Sequence, residues 1–334
     1  MGTLGVVVIG RNEGERLARC LASIAPAPVP VVYVDSGSSD GSPALARSRG
    51  ADVVELDASL PFTAARGRNA GFDRLRRTHA DLALVQFVDG DCELASGWLD
   101  AAAAHLAAHP DVGVVFGRRR ERHPEASPWN RCADVEWDGL PGEAQACGGD
   151  ALMRASVLVE AGGYDPALIA GEEPDLCMRI RRNGWRIVRL DREMTLHDAA
   201  LLRFRQWWRR QVRSGHAYAE TAWRHRASPD RTRARRVASI AFWAGLLPAA
   251  ALALAIPTRG ASLLLLLAEA RPWLGLYRAA RRRRTQRDAL LYASACLLGK
   301  VAELRGVLAF AWNQGVRRRA TALIEYKGMD ARPR

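Results

Sequence analysis

The chain has 334 residues, 49% of them hydrophobic, with 49 Lys and Arg against 36 Asp and Glu for a formal net charge of +13. That apolar fraction, with no low-complexity tract, excludes global disorder, and the length accommodates one core of about 200 residues with an appendix. The charge is divided unevenly: residues 1–200 carry 22 Arg and 29 acids, a net of −7, whereas residues 201–334 carry 27 Lys and Arg and 7 acids, a net of +20, so the chain reads as at least two functional units.

In chain order, Leu4–Ile9 is a continuous apolar run suited to a strand buried on both faces, followed by Leu17, Leu21 and Ile24 at helical spacing. Val31–Val34 is a second strand, and Ser42-Pro43 reads as an N-cap with proline at the first helical position. Val53–Leu56, Leu82–Val88 and Val112–Phe116 supply three more strands, with helices between them. The alternation predicts an α/β fold around a mostly parallel sheet covered on both faces, whose ligands sit at the carboxyl ends of the strands. Arg118–Ala146 breaks the pattern as a polar, irregular excursion containing Trp129 and Trp137. Beyond it come a strand at Ala151–Arg154 and a short helix near Ser156–Ala161. A helix at Asp175–Asn183, stopped by Gly184, and a strand at Trp185–Leu190 follow.

Past residue 200 the composition changes. Leu201–Arg226 reads as a basic amphipathic helix, with Trp207, Trp208 and Tyr218 among its arginines. Val237–Pro257 is a 21-residue run without a charge, long enough to cross a bilayer. Ala261–Ala280, interrupted by Glu269 and Arg271, is a second candidate. Basic clusters before the first segment and after the second (Arg281–Arg284) fit a hairpin with both ends in the cytosol. Asp288–Trp312 reads as an interfacial or bundle-packed helix. The expected organisation is therefore a catalytic unit over 1–200, an interfacial helix over 201–236, a membrane hairpin and interfacial helix over 237–312, and a basic tail over 313–334. The competing reading of Val237–Pro257 is a core helix of a soluble unit. Arginines flanking apolar segments and tryptophans suit anionic lipid headgroups better than nucleic acid, which is not expected as a partner. The six cysteines form no CxxC and no Cys/His cluster at zinc spacing, so neither a structural zinc nor a disulfide framework is expected. No signal-like segment precedes the first strand, which predicts a catalytic unit in the cytosol.

Polar residues stand where the strands end. Strand one runs into Gly10-Arg11-Asn12-Glu13, strand two into Asp35-Ser36-Gly37-Ser38-Ser39-Asp40, and strand four into Asp89-Gly90-Asp91. A carboxylate at a strand tip, such as Asp35, can accept the imide N–H of a uracil-like base. Two carboxylates across a glycine can hold a hard divalent cation that grips a diphosphate. Each motif alone is also compatible with a capped turn or a surface acid pair.

In this order the motifs are more specific. The segments VVVIGRNEGERLARCLASI (Val6–Ile24), VVYVDSGSSDGS (Val31–Ser42), ARGRNAGF (Ala65–Phe72), FVDGDCEL (Phe87–Leu94), GGDALMRASVLVEAGGYD (Gly148–Asp165) and GEEPDLCMRIRRNGWRI (Gly171–Ile187) resemble a family 2 glycosyltransferase with the GT-A fold. The resemblance covers about residues 4–200. It implies inverting transfer from a nucleotide-diphosphate sugar with Mn²⁺ or Mg²⁺. Asp35 then corresponds to the base-binding aspartate, and Asp91 to a direct metal ligand. Asp89 lies nearer the ribose and metal, and Arg11 and Glu13 fall in the first nucleotide loop. Arg66 and Asn69 match a motif that contacts nucleotide in family members, although they also read as helix-surface residues. The acidic motif is Glu172-Glu173-Pro174-Asp175-Leu176, which puts Glu173 at the position of the catalytic base in place of the commoner aspartate. Asp175 is the alternative base, or a helix cap. His197, after the last strand, corresponds to a third metal ligand or a diphosphate contact. Arg205-Gln206-Trp207-Trp208-Arg209-Arg210 resembles the acceptor segment of polysaccharide synthases but departs from their Gln-x-x-Arg-Trp pattern.

The expected activity is transfer of one sugar, from a UDP-type donor by preference, to a lipid-linked or cell-surface glycan acceptor. It is placed at the cytosolic membrane face, with anionic lipids as further partners. Two rivals are a sugar nucleotidyltransferase, which calls for a Gly-rich basic loop after strand one, and an inactive membrane scaffold with a transferase-like fold.

Overall fold

The structure is a computed structural model that describes residues 2–228 and 230–317. From residue 318 on, the expected basic tail lies outside the described residues. The chain divides into two compact units, one running to Arg122 and resuming over Trp137–Ala199, the other taking His123–Glu136 and the chain from Ala200.

The first unit opens with β1 (Thr3–Gly10), α1 (Glu15–Ile24), β2 (Val31–Asp35), α2 (Ser42–Ser48), β3 (Asp52–Glu55) and α3 (Ala64–Thr78). It continues with β4 (Leu82–Asp89), β5 (Cys92–Leu94), α4 (Trp98–Ala108) and β6 (Val112–Glu121). After α5 (Pro128–Glu136), which belongs to the second unit, come β7 (Gly142–Glu143), β8 (Ala151–Arg154), α6 (Ala155–Glu160), α7 (Glu172–Arg182) and β9 (Arg186–His197). One sheet in the order β3-β2-β1-β4-β8-β6-β9-β5, with β7 beside β9, forms the frame. The β1, β2, β3 and β4 pairings are parallel, as is β6 with β9, while β8 is antiparallel to both neighbours. This is the predicted mostly parallel α/β sheet, with antiparallel additions.

β1 is central because its apolar run has no polar side. Val6, Val7 and Val8 are each fully buried, at about 1.5–3 kcal/mol of burial apiece. α1 matches with Leu17, Cys20, Leu21 and Ile24 on its inner face. α3 comes very close to β1 and β2, because at Gly71 a Cβ would stand 2.4 Å from Val7 Cγ1 and 3.0 Å from Val34 Cγ2.

Several expected boundaries move. The excursion expected over Arg118–Ala146 is regular at both ends of its first half: β6 continues through Glu121 and α5 covers Pro128–Glu136. Backbone pairing of Arg118–Glu121 with β9 does not need apolar side chains, and Arg118 reaches Asp191 and Glu193 at 2.6 and 3.2 Å. By the same pairing β9 runs to His197, seven residues past its expected end. α7 begins at Glu172, N-capped by the left-handed Gly171, so Asp175 is not its cap.

The second unit is helical. After α5 come α8 (Phe204–Arg224), α9 (Thr232–Ala241), a π-turn (Phe242–Leu246), α10 (Leu247–Ala253), a 3₁₀ stretch (Ala261–Glu269), α11 (Ala270–Arg281) and α12 (Gln286–Trp312). Its inner acids are paired: Asp134 with Arg284 at 2.6 Å, Asp288 with Arg131 at 3.1 Å, and Glu303 with Arg236 at 2.8 Å. Among the described residues one helix, Thr232–Ala253, is long and apolar enough to cross a membrane, with a mean hydropathy of 1.5. Leu252, Leu254, Ile256 and Leu263–Leu267 are exposed.

Gly71→Val places its side chain into Val7 and Val34, an overpacking worth about 1–3 kcal/mol. A lowered urea midpoint with an unchanged slope is the expected result.

Candidate active site

The parallel register brings three strand ends to one edge. Gly10 pairs with Asp35, and Ile9 with Asp89. β2 and β3 lie on one side of β1 and β4 on the other, so the crevice is the switch point at which open α/β sheets bind ligands. The Glu13 stem fills it from above, since a Cβ on Gly90 would meet Glu13 Cγ at 3.3 Å and Ile9 O at 3.2 Å. Glu13 also pairs with Arg16 at 2.9 Å.

Asp35 is 2% exposed and holds its own loop. Its Oδ2 accepts from the backbone N–H groups of Gly37 and Ser38 at 2.9 and 2.8 Å, and its Oδ1 accepts from the Tyr33 hydroxyl at 2.9 Å. The loops after β1 and β2 are joined through Asn12, whose Oδ1 accepts from Ser39 N–H at 2.8 Å and whose N–H donates to Ser38 Oγ at 2.9 Å. Arg11 is exposed on the same rim, its guanidinium 5.6 Å from the Phe62 ring.

Asp89 and Asp91 face different partners. Asp91 is buried, with Oδ2 3.2 Å from His197 Nε2. Pairing of Cys92 with His197 between β5 and β9 brings them together. Ligand atoms of Asp91, Cys92 and His197 all lie within 4.8 Å of one another, and those of Asp89, Cys92 and Asp150 form a second such group. Asp89 Oδ1 instead accepts from Arg68 Nη2 at 2.9 Å, and Arg119 Nη2 lies 3.6 Å from its Oδ2. Burial works against the Asp89 charge, but the Arg68 and Arg119 guanidiniums outweigh it, and its pKa falls below the ordinary carboxylate value.

Arg68 is 2% exposed and connects three acids. Its Nη1 donates to Glu172 Oε1 at 2.9 Å and lies 3.5 Å from Glu173 Oε1, and its guanidinium stands 5.4 Å from the Tyr164 ring. Fully buried Asp150 accepts from Asp89 N–H at 3.0 Å and from Thr195 Oγ1 at 2.9 Å, and pairs with Arg119 Nη2 at 2.6 Å. Gly149 is needed here, because a Cβ would sit 2.6 Å from Arg68 Nη2 and 2.9 Å from Asp89 Oδ2. Trp137 closes the group, 5.5 Å from the Arg119 guanidinium and 4.8 Å from the His197 ring.

The two acids of α7 differ. Glu172 is 4% exposed and tied to Arg68. The Glu173 side chain is 19% exposed; burial, and after it the neighbouring Glu172 carboxylate, raises its pKa to about 7. Asp175 accepts from Arg179 Nη2 at 2.7 Å and Nε at 3.0 Å, and the same arginine donates to Gly163 O at 2.7 Å. Of the α3 residues expected at the nucleotide, Arg66 donates to the carbonyls of Asp57, Leu60 and Pro61. Asn69 exchanges two hydrogen bonds with the Tyr164 backbone at 2.7 and 2.9 Å. Both brace loops, while Arg68, which also lies between them, faces the acids.

The profile of glycosyl transferase family 2 matches residues 5–145. Those residues, about two fifths of the chain, match a family 2 glycosyltransferase domain, and the first unit has the GT-A fold. Glycosyltransferase AglE of Haloferax volcanii is 24% identical over 262 residues, covering 73% of this chain and 81% of that one. A pre-mycofactocin glycosyltransferase of Mycobacterium tuberculosis is 28% identical over 246 residues, covering 68% of this chain and about half, 48%, of that protein. Among solved structures, the mannosyltransferase PcManGT of Pyrobaculum calidifontis, in complex with GDP-Man and Mn²⁺, superposes with a TM-score of 0.59 at 19% identity. The match covers 89% of this chain and 87% of that one, a likeness of fold.

Sequence reasoning passed over Arg68, Arg119, Asp150 and Glu172. Arg68 lies inside the segment Ala65–Phe72, and Asp150 follows two glycines; the only signal for Arg119 is a run of three arginines just past a strand. In the transferase, Arg68→Met leaves Glu172 and Asp89 without their shared cation. The expected loss is about 3–5 kcal/mol by urea unfolding, partly regained in the Arg68→Met/Glu172→Gln double variant.

Proposed function

We propose that this glycosyltransferase is metal-dependent and inverting. It moves one sugar from a nucleoside-diphosphate donor, UDP-type by preference, to a lipid-linked or cell-surface glycan acceptor at the cytosolic face of the membrane. The observation that carries the reading is the pairing of a metal-suited acid–imidazole cluster with a separate carboxylate of raised pKa in one crevice. The donor set of a buried Asp91 carboxylate facing His197 Nε2 at 3.2 Å, with Asp89 two residues away, fits a divalent ion of the Mn²⁺ or Mg²⁺ class. Asp91 and His197 would hold that ion, with Asp89 between it and the ribose. When bound, it would neutralise the diphosphate charge that grows as the sugar leaves.

The remaining roles belong to the chain's own groups. Asp35 and the loop it folds, with Arg11 and Glu13, seat the nucleoside. Glu173 is the base: it accepts the acceptor hydroxyl proton, and a carboxyl pKa near 7 suits it to that task at neutral pH. Asp175, already paired with Arg179, is the weaker candidate. Arg66 and Asn69 act by holding the loops that border the crevice.

In the second unit, the apolar helix Thr232–Ala253, the exposed leucines after it and the surrounding arginines support contact with a bilayer carrying anionic lipids. The organisation we assign is a catalytic unit within residues 1–200, less the segment 123–136 that belongs to the helical unit, followed by interfacial and membrane segments.

Asp91→Ala should abolish metal-dependent donor binding. Glu173→Gln should retain that binding and lower transfer by at least a hundredfold, measured as released nucleoside diphosphate. Normal transfer by Glu173→Gln would remove Glu173 as the base. Because the base form is the deprotonated one, kcat/KM should rise with pH through about 7. A limb lying in the ordinary carboxylate range would contradict the assignment.

A further inference from the structure

We propose that Arg119 binds the donor diphosphate and serves as a built-in second cation beside the divalent-ion site, an inference that rests on the donor chemistry proposed above. The crevice holds two acid clusters that share Cys92. One, Asp91 with His197, has the donor atoms for a metal. The other, Asp89 with Asp150, already contains a cation of the protein's own, because Arg119 Nη2 lies 2.6 Å from Asp150 and 3.6 Å from Asp89. Arg119 thus places one positive charge on a wall that its acids alone would make more strongly negative.

The two arginines of the site, Arg68 buried and Arg119 half-buried, differ in what they can offer a ligand. The Arg68 side chain is 3% exposed, and its Nη1 and Nη2 are committed to Glu172 and Asp89. The Arg119 side chain is 17% exposed, and the same nitrogen faces each of the two carboxylates: Nη2 meets Asp150 at 2.6 Å and Asp89 at 3.6 Å. The guanidinium is held at one corner by Asp150 and flanked by Trp137 at 5.5 Å, and Trp137 itself packs against His197. A planar fork held through Nη2 on a partly exposed side chain suits two phosphate oxygens and loses little entropy on binding them. Burial works against its charge, but Asp150 and the other acids around it together outweigh burial and raise its pKa above the ordinary value. As the sugar–oxygen bond breaks, the electron pair stays on the departing phosphate oxygen, and a cation already in place stabilises that charge without reorganisation.

The test compares the full-length protein with Arg119→Lys and Arg119→Met. Arg119→Lys keeps a cation for Asp150 but removes the fork; Arg119→Met removes both. UDP and GDP are titrated in the presence of Mn²⁺ by calorimetry, Mn²⁺ binding without nucleotide is followed by EPR, and the melting midpoint is recorded for each protein. The expected result is a nucleoside-diphosphate affinity at least tenfold weaker in Arg119→Lys, with Mn²⁺ affinity and melting midpoint held, and a greater loss in Arg119→Met. Diphosphate affinities within threefold of the parent in both variants would overturn the inference. So would a loss in Arg119→Lys that runs parallel with lost Mn²⁺ affinity and a lowered midpoint, because Arg119 would then serve only to hold the acids. If the parent protein binds neither UDP nor GDP with Mn²⁺, the donor chemistry fails and this inference fails with it.

Discussion

Two guanidiniums make it possible to gather acids at the carboxyl edge of this sheet. Asp150 and Glu172 are almost wholly buried and Asp89 is partly so, and a buried carboxylate without a partner costs several kcal/mol. Arg68 joins Asp89 to Glu172, and Arg119 joins Asp150 to Asp89. The acids can then stand close enough to build a cation site while the unit stays folded. Other features follow from that arrangement: the glycine at 149 that lets the chain pass these side chains, the Asp150 carboxylate that receives the Asp89 N–H, and the ring of Trp137 against Arg119.

The same arrangement separates two neighbouring glutamates into different chemistry. Glu172 and Glu173 both begin α7, yet the first has an arginine partner at 2.9 Å and the second only a longer contact at 3.5 Å. Left partly buried beside a charged neighbour, Glu173 binds its proton more tightly than an ordinary carboxylic acid. A charge-neutralised acid and a proton-accepting acid thus arise from adjacent positions. Asp175 is drawn away to Arg179, which fastens the turn at Gly163.

The second unit uses charge differently. Its acids are few and are met by arginines inside the helical packing, as with Asp134, Asp288 and Glu303, while its large apolar side chains cluster on the outside between Leu252 and Leu267. A water-soluble surface rarely carries so many adjacent exposed leucines. The uneven division of charge along the chain thus runs with the division into an α/β unit and a helical unit.

Much of the fold was written in the sequence. Apolar runs without alternation, separated by helical spacing, are sufficient for a buried parallel sheet, and Asp35, Asp89 and Asp91 stand where those runs stop, as strand-tip residues must. Boundaries set by charged residues were not legible. β6 runs through its arginines and β9 reaches His197 because backbone pairing with a neighbouring strand, rather than side-chain apolarity, holds those residues extended. The partners within the site were hidden for the same reason. Arg68 and Glu172 are 104 residues apart and Asp89 and Asp150 are 61 apart, and only the insertion of β8 between β4 and β6 and the placing of α7 bring them together. The sequence by itself determined which strand tips would be acidic; the tertiary structure decided which arginine pairs with which acids and which glutamate has the raised pKa, because both depend on burial and on distances between residues that no local pattern relates.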